Sequence, residues 1–417
     1  MSFFCYNNNG DNMKNKIIII SIIVLLIIFL VIGSLLGYRA YQQWRIANAE
    51  IIVELNDNLE IDVFSDVKLS SLIKSVNGEL VKDFSINTKK VGKQAVKFKY
   101  VNTDDIEVSY TFEIDVVDKV APLIFSSKSF SVTKGYTGNL EEELFCGDNY
   151  DNNPKCEIIG HYDYNVSGSY PVAFLGTDSS GNVSRTDFTL NVKEPSTGSG
   201  SSSGGSSSNY INFSDVVNEH KTFKTSVGLD VSRWQGDIDF QKVKDAGVEF
   251  VFIRVGSQRG VNGEYFIDPK FERNIKGFKE VGIPVGIYFY SYANSKANAK
   301  KEAKWIIEQL KPYKIDLPVV FDWENWSFYQ EFNLSFYNIT EIAKTYLKEI
   351  EKAGYKGMFY SSKYYLENVW FDHKYPVWLA HYTNKTNYQG EYQVWQMCNN
   401  GRIPGINGDV DINIMYN

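Results

Sequence analysis

The chain has 417 residues, of which 43% are hydrophobic and 15% aromatic, with a formal net charge of −7 and a pI near 5.4. An acidic chain has no general excess of basic side chains, which argues against nucleic-acid binding and against tight binding to acidic lipids. The length predicts about two to four domains. The four histidines show no metal-ligand spacing, so we predict no metal and no cofactor.

The first predicted element is a membrane helix. Residues 1–16 form a short polar tail, expected to be cytoplasmic, whereas residues 17–37 are almost wholly aliphatic and uncharged. Such a run can cross the ~30 Å hydrocarbon core as one helix. It is too long for a cleaved secretory signal, whose apolar part spans about 7–15 residues. Basic residues flank it on both sides and hardly orient it. We therefore expect an uncleaved signal anchor.

Residues 50–118 and 119–194 contain an internal repeat. Both copies end in two alternating strands, which predicts two small all-β sandwiches in tandem. The second copy, with VAP at its start and GTDSSGN before its last strand, resembles bacterial Ig-like surface repeats more closely than the first. We expect spacers, with wall-polymer binding as the alternative. The matching positions share one offset without gaps: Gly92, Val96, Phe98, Phe112, Ile114 and Val116 correspond to Gly168, Val172, Phe174, Phe188, Leu190 and Val192.

The second copy contains two cysteines and several acidic residues. Cys146 and Cys156 bracket the polar run GDNYDNNPK. A disulfide between them would fit an oxidising exterior, and a reduced pair is the alternative. Asp148, Asp151 and Asp178 could bind calcium through their oxygens. We expect them to be exposed turn residues instead.

A Gly/Ser-rich stretch at residues 195–209 should form a flexible linker that decouples the repeats from the C-terminal region. From residue 226 to 417, strands alternate with helices, which predicts a C-terminal α/β TIM-like barrel with an incomplete helical ring. The predicted strands are 227–231, 249–255, 284–290, 317–322, 357–361, 375–380, 392–397 and 409–413. The predicted helices are 239–246, 268–281, 295–310 and 337–353, three of them ended by Gly247, Gly282 and Gly354.

The strand in LPVVFDWENW, residues 317–326, ends in two carboxylates. Side chains alternate along a strand, so Asp322 and Glu324 should share a face and Trp323 should point away. Adjacent carboxylates repel, which raises the pKa of one of them and yields an acid and an anion from similar side chains. Such pairs serve glycosidic bond cleavage, although an Asp and a Glu in a surface turn are the common alternative.

Two further carboxylates fall on strands that meet in a closed barrel. Asp230 ends the first strand in GLDVSRWQG, and Asp411 lies on the last strand in GDVDINIM. Active sites of such barrels lie at the C-terminal ends of the strands. We therefore expect Asp230, Asp322, Glu324 and Asp411 at one mouth, with Asp409 as the competitor to Asp411.

Six motifs follow one another along residues 226–417: GLDVSRWQG, FVFIRVG, VGIYFYSYA, PVVFDWEN, WLAHYT and VWQMCNNGRIPGINGDVDIN. In these motifs and their order the region resembles glycoside hydrolase family 25, the Chalaropsis-type lysozymes. The resemblance implies hydrolysis of the β-1,4 bond between N-acetylmuramic acid and N-acetylglucosamine. It also implies that Glu324 is the proton donor and that Asp322, Asp230 and Asp411 support it. Phe289 stands where many members have His, which puts one substrate hydrogen bond in question.

Aromatic residues near the expected mouth could stack on sugar rings, although core packing is the more common role of such positions. Trp323 and Trp234 are expected to pack rather than to bind. Gln396 could bond a sugar hydroxyl. The substrate-binding candidates are Tyr288, Tyr290, Trp378, Tyr382, Trp395 and Gln396.

The implied substrate, peptidoglycan, lies outside the cytoplasmic membrane. We therefore expect a single-pass membrane protein with its C-terminal domains on the cell-wall side, remodelling the wall. One alternative is a β-1,4 hexosaminidase acting on chitin-like polymer. The other is a non-catalytic wall-binding adhesin, which the full set of carboxylates disfavours.

Overall fold

The computed structural model describes all residues except 1–8, 126–128, 141–144, 196–209 and 327–328. The chain divides into two compact units, residues 1–119 and 120–417. Each is described by itself. The expected 195–209 linker lies almost entirely outside the described residues.

The first unit begins with a long helix, α1 (Asn9–Ala47). Residues 16–47 of α1 have a mean hydropathy of 3.4 over their most apolar window, so this helix is long and apolar enough to cross a membrane. The first β domain follows, with β1 (Val53–Leu55), β2 (Glu60–Asp62), β3 (Ile73–Val76), β4 (Gly78–Leu80), β5 (Gly92–Asn102) and β6 (Glu107–Val117). Its strands form one sheet in the order β2-β6-β5-β4 and a second of β1 and β3.

The second β domain opens the second unit and repeats this topology. Its strands are β7 (Leu123–Phe125), β8 (Ser129–Thr133), β9 (Phe145–Gly147), β10 (Lys155–Ile159), β11 (Gly168–Thr177) and β12 (Val183–Lys193). They form one sheet in the order β8-β12-β11-β10 and a second of β7 and β9. The long hairpins have one register: Val96 faces Phe112 in the first domain, and Val172 faces Phe188 in the second. This agreement confirms the internal repeat.

Polar residues of the second β domain are more buried than expected. A disulfide joins Cys146 and Cys156. Asp148 and Asp178 are buried rather than exposed. Asp148 Oδ1 accepts the backbone N–H groups of Tyr150 and Asp151 at 2.9 and 2.6 Å, so this carboxylate shapes its own turn.

The rest of the second unit, residues 210–417, is a closed barrel with strands close to the expected ones. Its barrel strands are β14 (Thr225–Val231), β15 (Phe250–Gln258), β17 (Val285–Tyr290), β18 (Val319–Asp322), β19 (Gly357–Ser362), β20 (Val377–Ala380), β21 (Val394–Arg402) and β22 (Val410–Tyr416). Two short strands pair outside this ring, β13 (Ile211–Asn212) and β16 (Tyr265–Ile267). The helices are α2 (Phe213–His220), α3 (Phe240–Asp245), α4 (Phe271–Glu280), α5 (Lys296–Leu310), α6 (Tyr329–Phe332), α7 (Phe336–Lys352) and α8 (Lys363–Asn368).

Alternating strands and helices indicate a parallel sheet, and the last strand departs from it. β22 closes the ring by pairing with both β14 and β21, and it is antiparallel to both. Asp411 therefore reaches the mouth from the beginning of its strand, not from the end. Residues 377–417, all of them described, contain no helix. This stretch accounts for the gap that the sequence predicts in the helical ring.

Local sequence explains the helix ends around the barrel. Ser295 and Ser335 cap α5 and α7 by accepting the amides of Asn298 and Asn338. Gly247, Gly282 and Gly354 follow α3, α4 and α7 with positive φ angles of 99°, 72° and 89°. These glycines therefore end their helices as the sequence predicts.

The second β domain packs against the barrel. Phe125 belongs to the same buried cluster as the barrel core, and the Ser335 amide donates to Asn152 Oδ1 at 2.9 Å. The expectation that the second repeat is decoupled from the barrel is therefore wrong, because it treated the Gly/Ser linker as the sole connection between them.

Candidate active site

A cavity of about 240 Å³ opens at the barrel mouth, where the parallel strands end. Its lining contains all four carboxylates expected from the sequence. It also contains three residues that sequence reasoning missed, Arg254, Tyr360 and Asn399. Arg254 had a detectable signal, because it is a lone charge within the apolar strand FVFIRVG. The full lining is Asp230, Arg254, Tyr288, Tyr290, Asp322, Glu324, Tyr360, Trp378, Tyr382, Gln396, Asn399 and Asp411.

Asp322 and Glu324 form a close carboxyl pair at this cavity. Asp322 is the last residue of β18 and is 4% exposed, whereas Glu324 is exposed to the cleft. Trp323 points the other way, as the alternation predicts, and its Nε1 donates to the Ala293 carbonyl at 3.1 Å. The Oδ1 atom of Asp322 is buried and has no hydrogen-bond partner among the described residues. One acceptor is thus left for a bound molecule.

The two carboxyls of this pair bond to each other and titrate together. Burial raises the pKa of Asp322 well above its usual range, and the neighbouring Glu324 carboxyl raises it further. Burial also raises the pKa of Glu324, although the bond from Asp322 opposes this. Loss of both protons would place two negative charges side by side, so the pair retains one proton to an unusually high pH. Only Glu324 is exposed to the cleft, where it can pass that proton on.

Asp230 and Asp411 form a second pair beside the first. They face each other across the β14–β22 ladder. Asp230 Oδ2 accepts Nε2 of Gln396 at 3.0 Å and Nδ2 of Asn413 at 2.8 Å. Burial raises the pKa of Asp411 to about 9, with a further contribution from the charge of Asp230. Both amide side chains hold Asp230 in place beside Asp411.

Tyrosine side chains line much of the cavity. The Tyr360 hydroxyl donates to Gln396 Oε1 at 2.9 Å, and the Tyr382 hydroxyl reaches the same atom at 3.3 Å. Tyr382 is 54% exposed at the rim. Trp378 also lines the cavity but is only 2% exposed. Its Nε1 donates to Asn413 Oδ1 at 2.8 Å, so this tryptophan mainly orients other groups.

Two tryptophans lie where the sequence analysis did not expect them. Trp395 is 2% exposed and does not line the cavity. Its neighbour Gln396 lines it, and the alternation along β21 turns Trp395 toward the outer core. Trp234, expected to pack, is 71% exposed. It lies in the short 3-10 turn Arg233–Gln235 that follows β14 at the mouth end of the barrel.

Asp409 lies outside the cavity. It forms an ion pair with Arg402, with 2.9 Å between Oδ1 and Nη2, and its side chain is 57% exposed. Asp411, two residues later, is the residue that enters the carboxylate cluster. The structure thus separates these two competitors as the sequence analysis proposed.

A barrel with a close carboxyl pair and a polar, tyrosine-lined cleft at its mouth has the arrangement that glycoside hydrolases use. Comparison with known sequences agrees, because the profile of "Glycosyl hydrolases family 25" matches residues 229–406. The chain belongs to glycoside hydrolase family 25 and is a glycosidase of the lysozyme class.

Three relatives illustrate the match. The uncharacterized protein YegX of Escherichia coli K12 is 32% identical over 197 residues, which cover 45% of this chain and 68% of YegX. The autolytic lysozyme of Clostridium acetobutylicum is 27% identical over 188 residues, covering 44% of this chain and 54% of that protein. The modular autolysin LytC of Streptococcus pneumoniae, solved with a synthetic peptidoglycan ligand, has 25% identity and a TM-score of 0.41. That match covers 58% of this chain and 56% of LytC.

Proposed function

We propose that this protein is a membrane-anchored peptidoglycan hydrolase that cleaves the β-1,4 bond between N-acetylmuramic acid and N-acetylglucosamine. The observation that carries the proposal is the Asp322–Glu324 pair, one member buried and the other open to the cleft. We assign Glu324 as the acid that protonates the leaving oxygen. Asp322, Asp230 and Asp411 are assigned as supporting carboxylates that favour a cationic transition state.

The spacing of the pair favours a nucleophile supplied by the substrate. Retaining enzymes that use their own nucleophile hold the two carboxyls ≈5–5.5 Å apart, and inverting enzymes hold them ≈6.5–9.5 Å apart. Asp322 and Glu324 instead lie within hydrogen-bonding reach of each other. The substrate's acetamido oxygen would then attack the anomeric carbon. The unpartnered Oδ1 of Asp322 is suited to accept the acetamido N–H and to orient that group.

The tyrosines of the cleft are proposed to contact the sugars. Tyr288, Tyr290 and Tyr382 line the cavity, and the Tyr382 hydroxyl reaches Gln396 Oε1. We assign Trp378 to orienting Asn413, and we remove Trp395 from the set because it is buried away from the cavity. Trp234 replaces it as an exposed indole at the same end of the barrel.

The localisation proposal rests on helix α1 and on the substrate. An uncleaved α1 would keep residues 1–16 in the cytoplasm and place the Ig-like β domains and the barrel on the cell-wall side. Protease added to wall-stripped cells should then remove the barrel from the membrane fraction. Release of the active chain into the medium with a new N-terminus near Glu50 would contradict the anchor.

The test of activity is product identity. The full chain, purified in detergent, is incubated with purified peptidoglycan and separately with chitooligosaccharides. The products are reduced with borohydride, and their masses are measured by mass spectrometry. A muramidase yields fragments ending in reduced N-acetylmuramic acid. Fragments ending in reduced N-acetylglucosamine, or cleavage of chitooligosaccharides alone, would support a hexosaminidase. Binding to peptidoglycan without new reducing ends would support the adhesin.

A further inference from the structure

The loop closed by the Cys146–Cys156 disulfide contacts the barrel directly. Residues 148–154 connect β9 to β10. The Phe336 amide donates to the Asp148 carbonyl at 2.7 Å, and the Tyr337 amide donates to the Asn149 carbonyl at 3.2 Å. We call residues 147–155 the docking loop.

These bonds complete the N-terminus of α7. The first amides of a helix have no acceptor within the helix itself. Here Ser335 Oγ accepts the amide of Asn338, whereas the docking loop accepts the amides of Ser335, Phe336 and Tyr337. Asn152 Oδ1 receives both the Ser335 amide, at 2.9 Å, and the Asn338 side chain, at 2.7 Å. The capping of a barrel helix is thus divided between two domains.

An aromatic cluster joins the same two domains beside this helix end. Phe125 of β7 stacks on Phe145 with 4.8 Å between ring centroids, and the Trp326 ring lies 6.1 Å away. Trp326 in turn stacks on Tyr365 at 3.7 Å. Gly147 packs so closely that a Cβ atom there would lie 2.6 Å from the rings of both Tyr329 and Phe336.

The aromatic cluster reaches the chain segment of the proposed acid through Trp326. Trp326 is two residues after Glu324, and its amide donates to the Glu324 carbonyl at 2.9 Å. On the barrel side, Asn325 Nδ2 donates to the Ser291 carbonyl at 2.5 Å. The short segment 323–326 is therefore held by the barrel at Trp323 and Asn325, and by the interdomain cluster at Trp326.

We propose that the second β domain is a positioning part of the catalytic unit. In this arrangement Phe125 packs on Trp326 directly, and the docking loop acts on it through Tyr329, which lies against both Gly147 and Trp326. Trp326 then fixes the backbone that carries Glu324. The expected effect on turnover rests on the proposed function. The contact itself is independent of which bond the enzyme cleaves.

The test uses full-length variants purified in detergent. Gly147→Ala places a methyl group against two barrel rings, and Gly168→Ala is its control, because a Cβ there has no neighbour closer than 3.8 Å. Asn152→Ala removes the acceptor of two barrel donors from an exposed position, and the exposed neighbour Asn153→Ala is its control. Hydrogen exchange is followed at residues 335–338 and 323–326, together with kcat and KM on peptidoglycan.

Gly147→Ala should speed exchange in both segments and lower kcat by roughly ten- to a hundredfold, with KM within about twofold, because small misplacements of a catalytic group reduce turnover strongly. Asn152→Ala should speed exchange at 335–338 by about fivefold, because the one backbone amide that bonds to Asn152, that of Ser335, loses its acceptor. Unchanged exchange at 335–338 in both variants would overturn the docking. Faster exchange there with unchanged exchange at 323–326 and unchanged kcat would overturn the positioning role. An inactive wild type would refute the proposed function instead, and exchange would still decide the contact.

Discussion

The two β domains share a topology and differ most in the connection between their third and fourth strands. Both have a two-stranded sheet beside a four-stranded one, and their long hairpins have the same register. In the first domain a single residue, Asn77, joins β3 to β4. In the second domain residues 148–154 join β9 to β10, and a disulfide closes that loop. The long hairpin is therefore common to the two copies, and the loop between the third and fourth strands distinguishes them.

The difference shows how a repeat can acquire a role in a neighbouring domain without changing its core. Inserted residues in a surface loop cost little folding free energy, because closure entropy grows slowly with loop length. The insertion provides carbonyl groups that the sheets do not use, and Asp148 and Asn149 offer theirs to helix α7. Repetition in the sequence thus predicts a shared fold and not a shared function.

The first prediction concerns the proposed acid, and it has the largest expected effect. The loss of turnover in the Glu324→Gln variant is the reference against which any effect of the β domains on catalysis is compared. Glu324→Gln preserves the shape of the side chain but cannot donate a proton to the leaving sugar oxygen. Loss of a general acid typically costs about 10²–10⁴-fold, so kcat on peptidoglycan should fall at least a hundredfold while binding persists. Asp409→Asn is the matched control, because Asp409 is an exposed partner of Arg402 outside the cavity. If Glu324→Gln retains more than about a tenth of the turnover, the acid is another residue.

The second prediction concerns the disulfide, which only the second of the two domains contains. Replacing both Cys146 and Cys156 by Ser frees a loop whose ends are 10 residues apart. The loss of unfolding free energy should be about 2–3 kcal/mol by chain-entropy arguments. Segment-resolved hydrogen exchange should show lower protection in β11 and at residues 335–338.

The first domain is the internal reference for that experiment, since residues 50–118 contain no cysteine. The double Ser variant should leave protection in β5 and β6 unchanged. Equal loss of protection in β5 and β11 would mean that the two substitutions destabilise the chain in general and do not act through this disulfide.

Patterns local in the sequence predicted the barrel well. Alternating apolar strands and helix-ending glycines depend on near neighbours, so the bounds of the ring strands from β14 to β21 fall close to the expected ones. Strand direction is not encoded in alternation, which is why the antiparallel β22 was missed. The short helix α2 was missed as well, because its eight residues offer little periodicity.

The site was predictable to the extent that alternation decides which side chains face inward. It placed Asp322 and Glu324 together and turned Trp323 away, as observed. Trp395 and Gln396 are neighbours on one strand, so the same alternation would have excluded one of them from the substrate-binding candidates. The docking loop could not be found in this way, because the Asn152–Ser335 contact joins residues 183 positions apart.

The third prediction uses a buried acid of the barrel to test whether the second β domain unfolds together with the barrel. Glu302 is fully buried, and burial raises its pKa from 4.5 to about 8, although Ser291 Oγ donates to it at 2.5 Å. The folded state therefore holds a proton that the unfolded state releases between these two values. Through Glu302 alone, the unfolding free energy should fall by ~1.4 kcal/mol per pH unit across that window as pH rises.

Glu302→Gln should reduce the barrel's slope by this amount, whereas Glu308→Gln, an exposed residue on the same helix, should leave the slope unchanged. If the second β domain unfolds together with the barrel, hydrogen-exchange protection in β12 should follow the barrel's pH dependence in the wild type and follow it less steeply in Glu302→Gln. A wild-type β12 that keeps constant protection while β18 loses it would show that the two domains unfold separately.

The smallest expected effect tests whether substrate binding belongs to the barrel mouth rather than to the β domains. Trp234 is 71% exposed, and the Arg233 guanidinium lies 4.6 Å from its ring. Stacking on an aromatic ring is worth ~0.5–1.5 kcal/mol, so Trp234→Ala should raise KM by about two- to tenfold and leave kcat unchanged. Phe223→Ala is the control, because Phe223 is 90% exposed but precedes β14 at the opposite end of the barrel. An equal rise in KM for both variants would indicate a general loss of apolar surface. A rise for Trp234→Ala alone would extend the glycan path from the Glu324 cavity along the turn after β14.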